Sequence, residues 1–276
     1  MTETKNDPAV GCPTRAPGYT SKGNGAQTVR VLVPISGGKD SQASLKLALQ
    51  TYKPEEVRGL FCDTGFEHPM TYAHIEKLRT LYGVRIDVVS GGDVLGKTLK
   101  YGRFPGGGAR HCTDELKIRE TRIYCKALAE QQGGFEVWYG MRLNESAERG
   151  ARYAGKICEE LYAPHEVLPR KYPKYLQKMG VMFRLSILHW TTCEVMEFLE
   201  GHHNPLYDAG FPRVGCFPCL ASGDAWKEKA FAHDDFGRGQ LAKVLIVSAK
   251  IGKSIWTSKG GKERNSEKPG CELCAI

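Results

Sequence analysis

Six consecutive residues, Ser36-Gly37-Gly38-Lys39-Asp40-Ser41, offer the plainest chemistry in this chain. Adjacent glycines let backbone approach an anion closely, and a helix starting there turns unpaired N–H groups and the positive end of its dipole toward a phosphate. The apolar run Val31-Leu-Val-Pro-Ile35 leads in, and a helical pattern over Ser41–Thr51 leads out. The stretch is not the loop of kinases and GTPases, because the Gly-x4-Gly-Lys-Ser/Thr spacing is absent and Asp follows the Lys. It reads as a cradle for pyrophosphate, with Lys39 and the Ser36 and Ser41 hydroxyls meeting its charge.

Other residues suit the same chemistry. Asp40 and Asp63 stand at the ends of neighbouring predicted strands, where one or two carboxylates together with phosphate oxygens bind Mg²⁺; capping and turn formation are their alternative duties. Arg110-His111-Cys112-Thr113 opens a helix after Gly106-Gly107-Gly108, which suits Arg110 and Lys117 to anions and Cys112 to a stabilised thiolate, or else makes Cys112 a buried capping residue. Gly140-Met141-Arg142 puts Arg142 at a strand end, with Glu145, Ser146 and Arg149 a turn further on, although a charged surface helix has the same look. Cys216-Phe-Pro-Cys219 and Cys271-Glu-Leu-Cys274 have the spacing that brings two sulfurs to one metal. With Cys112 and Cys158 they admit a zinc site, an iron–sulfur cluster or a redox dithiol. Arg170–Lys178 interleaves basic and aromatic residues, the pattern of a single-strand nucleic-acid surface and equally of a solvated one.

The elements that must position these residues alternate. Strands over Val29–Ile35, Val57–Cys62, Val84–Val89 and Phe135–Gly140 are separated by helices over Ser41–Thr51, Met70–Tyr82 and Glu115–Gln132, which predicts an α/β fold with a doubly wound parallel sheet. Ligands of such sheets lie beyond the carboxyl ends of the strands, where Ser36–Ser41, Asp63–His68 and Arg142 all fall. Beyond Gly150 come a Tyr/Pro/Lys-rich stretch, a helix over Trp190–Glu200 capped by Thr191 or Thr192, an irregular loop around Cys216 and Cys219, and a helix or strand over Leu241–Ile251. The organisation expected is a disordered polar leader (1–27), a nucleotide-binding unit (28–222) with its cysteine loop at 213–222, and a basic extension (223–276) with a mobile segment over Gly252–Gly270.

Composition bounds the setting. The 276 residues can bury a substantial core, and with no run of about 18 apolar residues and no hydrophobic leader, neither a membrane span nor a signal peptide is expected. A cytoplasmic chain keeps its ten cysteines as thiols. Cys62, Cys125 and Cys193 read as small core residues and Cys12 as inert. The net charge of +8 is uneven: from Lys227 to Lys268, ten Lys and Arg stand against five Asp and Glu. Such a surface serves a nucleotide, a nucleic acid or solubility alone.

Taken in order, Ser36–Ser41, Asp63-Thr-Gly-Phe-Glu-His-Pro69, Arg110–Thr113 with Leu116-Lys-Ile118, Gly140–Arg142 with Glu145, Ser146 and Arg149, His189-Trp190, and Asn204-Pro-Leu-Tyr207 leading to Arg213-Val-Gly-Cys216-Phe-Pro-Cys219 resemble the phosphoadenosine phosphosulfate reductase family of the adenine nucleotide α-hydrolase superfamily. The complete phosphate loop resembles the PP-loop ATP pyrophosphatases within it, with motifs nearest the DNA-phosphorothioation branch. This resemblance implies a Rossmann-like enzyme that splits ATP at the α-phosphate with Mg²⁺, coupled to sulfur transfer or sulfur redox chemistry. It places Ser36, Gly37, Gly38, Lys39, Asp40, Ser41, Asp63, Thr64, Gly140 and Arg142 around the nucleotide, with Lys39, Asp40, Asp63, Arg110, Arg142 and the tail thiol Cys274 in catalysis. It also implies a [4Fe–4S] cluster, or zinc, on Cys112, Cys216 and Cys219 with Cys158 or a tail cysteine as fourth ligand. The expected partners are an adenine nucleotide, a sulfur donor or thiol reductant protein, a nucleic-acid substrate and a second copy of the chain. The alternatives are a thiol-dependent sulfonucleotide reductase that releases sulfite and a non-catalytic nucleotide- or nucleic-acid-binding module.

Overall fold

The computed structural model describes residues 28–106 and 110–256. Strands β1 (Val31–Ile35), β2 (Val57–Asp63), β3 (Arg85–Ser90), β4 (Glu136–Trp138) and β5 (Met182–Arg184) form one parallel sheet in the order β3-β2-β1-β4-β5. Between them run α1 (Lys39–Thr51), α2 (Pro69–Tyr82), α3 (Val94–Tyr101), the single turn α4 (His111–Thr113), α5 (Arg119–Gln132) and the short α6 (Ala147–Arg152), α7 (Pro164–Val167) and α8 (Tyr175–Lys178). Three helices follow the sheet: α9 (Thr192–Phe198), α10 (Asp224–His233) and α11 (Asp235–Ile251).

A parallel sheet is covered on both faces, so its central strand is apolar throughout, and all five residues of β1 are buried. Side chains alternate across the pleat. Leu32, Leu60 and Val137 pack with Cys125 and Leu128 of α5, whereas Val31, Val33, Ile35 and Phe61 pack with Leu45 of α1 and Ile75 and Leu78 of α2. The doubly wound α/β fold read from the sequence is the fold of the molecule.

Strand order creates the site. The chain steps outward from β1 through β2 to β3, then returns to lay β4 along the other side of β1. A crevice opens where the winding reverses, beyond the carboxyl ends of β1 and β4. These strands pair only over Val31–Leu32 of β1, so their ends are free to part.

Several expectations change in detail. The helix expected over Glu115–Gln132 starts with a widened π-helical turn at Asp114–Ile118 that turns Leu116, Lys117 and Ile118 inward. Leu241–Ile251 belongs to α11, which begins at Asp235 because the Asp234 carboxylate accepts from the Gly237 amide at 2.8 Å. Strand β5 and helix α10 carry no strong periodicity in sequence and exist through packing, whereas α3 is an amphipathic helix, capped by Asp93, that the sequence reading does not include. Cys193 is exposed on α9, which corrects its core assignment, while Cys62 and Cys125 are buried. Burial pushes the Cys62 thiol up to about 11. Phe231, Val244 and Ile255 pack against Phe66, Val94 and Leu116, so the basic extension shares a core with the β2 loop. No helix among the described residues is long and apolar enough to cross a membrane. The leader at 1–27 and the segment from 257 onward, with Cys12, Cys271 and Cys274, lie outside the described residues.

One buried histidine makes the fold sensitive to acid. Gln42 donates through Nε2 to the His202 carbonyl at 2.7 Å, which leaves its Oε1 to accept from His74 Nε2 at 2.9 Å, while Nδ1 is buried without a partner. Burial, with Lys77 nearby, lowers the His74 pKa to about 4. Above about pH 6.5 His74 is neutral in both states; below it the unfolded chain takes a proton that the folded chain refuses, so stability falls with pH. Urea unfolding should show a loss on the order of 2 kcal/mol from His74 between about pH 7 and about pH 4.5, absent from His74→Gln. Equal pH profiles for the two proteins would count against this assignment.

Candidate nucleotide site

The loop after β1 is held from beneath and left open above. Gly37 has φ +78, and a Cβ there would overlap the Thr71 methyl. Buried Asn204 donates to the Gly37 carbonyl at 3.2 Å. Within the loop, the Ser36 amide donates to Ser41 Oγ at 3.2 Å and Ser41 Oγ donates to the Gly38 carbonyl at 2.9 Å. The N-cap of α1 is Gly38, which has no side-chain acceptor. Its first donor, the Lys39 amide, bonds to the hydroxyl of Tyr207, 168 residues away, at 2.9 Å.

Asp40 joins two cations across the crevice. Its Oδ2 accepts from Lys39 Nζ and its Oδ1 from Arg142 Nε, both at 2.7 Å. Arg142 also donates to the Trp190 carbonyl at 3.3 Å. Gly140 lets the β4 exit reach this position, because a Cβ there would overlap the Asp40 carbonyl. All three ionic side chains are buried. Burial lowers the Lys39 pKa below the usual lysine range, although Asp40 opposes the shift. Each Asp40 oxygen thus accepts from one cation, which fixes the carboxylate between Lys39 and Arg142.

Above this triad lies a cleft of about 920 Å³. Ser36, Gly38, Lys39, Asp40, Ser41 and Arg142 line it, together with Asn144–Glu148, Thr192, Met196, Tyr207 and the segment from Gly210 to Val214. Glu145 pairs with buried Arg149, and the Ser146 hydroxyl caps α6 by accepting from the Arg149 amide at 3.1 Å. Tyr207, Phe211 and Arg213 are among the cleft residues to which sequence reading assigned no role of their own, although Tyr207 and Arg213 stand in the Asn204–Cys219 stretch that carries the resemblance. Only folding brings them to the loop.

Asp63 and Thr64 do not line this cleft. Asp63 Oδ1 accepts from Tyr72 Oη at 2.7 Å and the Gly65 amide at 2.8 Å. Thr64 belongs to a buried cluster on the β2 exit: its hydroxyl donates to Glu67 Oε1 at 2.6 Å and touches Cys216 Sγ at 3.2 Å, while its amide donates to Glu67 Oε2 at 3.1 Å. Burial raises the Glu67 pKa, partly offset by Lys117. His68 Nδ1 accepts from the Met70 amide at 3.1 Å, so Nε2 carries the proton and donates to Asp234 at 2.8 Å. Arg110 sits at the N-cap of α4 and likewise does not line the cleft.

Of the cysteines assigned to a metal, Cys158 does not join Cys112 and Cys216, and the tail cysteines that are the other choice of fourth ligand lie outside the described residues. Cys112 and Cys216 pack on the cluster of Phe66 and Leu220, whereas Cys158 is buried in the main core with Tyr153 and Tyr162, where burial raises its pKa and keeps it a thiol. Among the described residues no three His, Cys, Asp or Glu side chains are arranged to hold a metal ion. As arranged, these thiols do not make the four-ligand set of a [4Fe–4S] cluster or structural zinc. In the basic and aromatic stretch, Tyr172 is buried with its hydroxyl on that of Tyr139 at 2.7 Å, and Lys171 pairs with Asp114 at 2.6 Å, which leaves Tyr175 as its exposed ring.

Residues 30–222 match the phosphoadenosine phosphosulfate reductase domain. An uncharacterised protein of Methanocaldococcus jannaschii is 28% identical over 194 residues, which cover 69% of this chain and 36% of that relative's own length. An adenosine 5'-phosphosulfate reductase of Anoxybacillus flavithermus is 27% identical over 217 residues, covering 77% of this chain and 79% of the relative. The crystal structure of a phosphoadenylyl-sulfate reductase from Candida auris is similar at a TM-score of 0.46 and 16% identity, over 68% of this chain and 81% of that one.

Removing the central carboxylate should be costly. Asp40→Ala leaves Lys39 and Arg142 buried and unpaired, which should lower the unfolding free energy by about 3 kcal/mol in urea titrations; a loss below about 1 kcal/mol would mean that the pairs add little.

Proposed function

Because the chain belongs to the phosphoadenosine phosphosulfate reductase domain family, we propose that it binds ATP in this cleft and splits it between the α- and β-phosphates. The observation that carries this reading is the first turn of α1, which has a glycine N-cap without a side-chain acceptor, faces the cleft and is flanked by Lys39 and Arg142. A helix N-terminus without a side-chain cap, together with fixed cations, stabilises the charge that develops on a departing pyrophosphate. An acceptor oxygen attacks the α-phosphorus, the α–β P–O bond breaks with its electron pair leaving on pyrophosphate, and the acceptor is carried off as its adenylate. Asp40 acts as a positioning residue that holds Lys39 and Arg142 toward the phosphates.

Incubation with Mg·ATP and candidate acceptors should release pyrophosphate and, as the adenylate breaks down, AMP. Lys39→Ala should slow pyrophosphate release by about 100-fold. Failure of the intact chain to bind ATP, with no pyrophosphate from any acceptor, would sink the proposal.

The reductases among its relatives favour a second reading. In it a tail thiolate attacks the sulfur of a sulfonucleotide, the S–O bond breaks, the nucleotide leaves, and a dithiol donor cleaves the resulting thiosulfonate to release sulfite and become a disulfide. Sulfite release with a dithiol should then vanish in the double variant Cys271→Ser, Cys274→Ser. Undiminished release would eliminate this route.

A further inference from the structure

The segment that supplies Asn204 to the phosphate loop also supplies two polar groups with capacity to spare. Tyr207 Oη accepts from the Lys39 amide, so its own proton is unspent, and its ring lies 5.8 Å from Lys39 Nζ. Burial raises its pKa, with Asp40 as the second cause, and keeps it a phenol. Arg213 lines the same cleft and acts electrostatically on both Lys39 and Tyr207. Among the described residues nothing pairs with its guanidinium.

Charge bookkeeping in the cleft points the same way. Glu145 is taken by Arg149 and Glu148 by Arg152. Lys39, Arg142 and Arg213 then face the single carboxylate of Asp40, an excess of two positive charges around an open helix N-terminus. A phosphate monoester carries up to about two negative charges on a single phosphorus, whereas a pyrophosphate group carries more charge over two phosphorus atoms and offers oxygens to the loop side and to the Arg213 side of the cleft together. Arginine is suited to this duty because its planar fork donates to two phosphate oxygens at once.

We propose that Tyr207 and Arg213 form a second wall of the phosphate site, which grips the terminal phosphates of a nucleoside polyphosphate and makes the chain select ATP over AMP. The inference rests on the ATP reading and sharpens it to a substrate class. The phosphate loop and Arg142 provide one side of the grip; the segment from Asn204 to Val214 provides the other. Tyr207 and Arg213 are binding residues here, with no part in proton transfer.

The test is equilibrium binding of ATP and AMP to the full chain. ATP should bind at least about tenfold more tightly than AMP, and Arg213→Gln should erase about tenfold of the ATP affinity while leaving AMP unchanged. Tyr207→Phe should weaken ATP by about threefold with AMP again unaffected. An unchanged ATP-to-AMP ratio in Arg213→Gln overturns the second wall while the ATP reading stands, and an equal loss for both nucleotides overturns it too, as a merely structural role. A parent chain that binds no ATP, or prefers AMP or a sulfonucleotide, overturns both readings. Should Arg213→Gln fold poorly, phenylglyoxal labelling of the parent chain with peptide mapping decides the matter. Inorganic pyrophosphate should shield Arg213 and AMP should not; labelling indifferent to pyrophosphate overturns the proposal.

Discussion

The carboxylate of Asp40, gripped by Lys39 on one oxygen and Arg142 on the other, is the interaction on which the cleft depends. It spans the point where the winding of the sheet reverses, tying the first turn after β1 to the exit of β4. Charges this deeply buried are tolerated because each is paired, and Arg142 is further hydrogen-bonded to the Trp190 carbonyl. Gly140 and Trp190 serve the same junction, one by lacking a Cβ and the other by offering its carbonyl to Arg142. The cost of burying the triad buys a fixed pair of cations beside an open helix end, the kind of preorganised field that stabilises a departing phosphate.

Five helices start with side-chain caps, whereas α1 and α10 start at glycines without one. His68, Asp93, Ser146, Thr191 and Asp234 cap α2, α3, α6, α9 and α11 with their own side chains. Helix α1 has only Gly38. Its first amide is met by Tyr207, a residue that reaches the loop through the tertiary fold. The end of the helix that faces the cleft is therefore furnished by a segment more than 150 residues downstream, which also contributes Arg213 and continues into Cys216.

A second buried network grows from the same sheet edge. Glu67 gathers Thr64, the Phe66 amide and Tyr72, with Cys216 alongside, and His68 passes a hydrogen bond on to the cap of α11. Through it the β2 loop, the cysteine loop and the two last helices become one packed unit around Phe66, Phe217, Phe231 and Phe236. Cys112 and Cys216 share that unit, while Cys158 lies in the main core.

Local signals carried the reading of the sequence as far as they reach. The alternation of apolar runs with helical patterns determined the doubly wound sheet, because period and strand burial are properties of neighbouring residues. Ser36–Ser41 announced an anion cradle for the same reason, since loop, glycines and helix start are contiguous. The short β5 and the π-turn at Asp114–Ile118 were not legible, because packing outweighs local preference there. The partners of Asp40 show the limit most clearly. Residue type alone made Asp40 a metal ligand in waiting, yet its duty is set by Arg142, 102 residues away. The same holds for Asp63, turned to Tyr72, and for Cys158, drawn into the core. Sequence by itself determined the parallel sheet and which residues stand at its strand ends. Only the tertiary structure decided which charges neutralise one another and which stay free to meet a ligand, because pairing depends on distances that chain order does not encode.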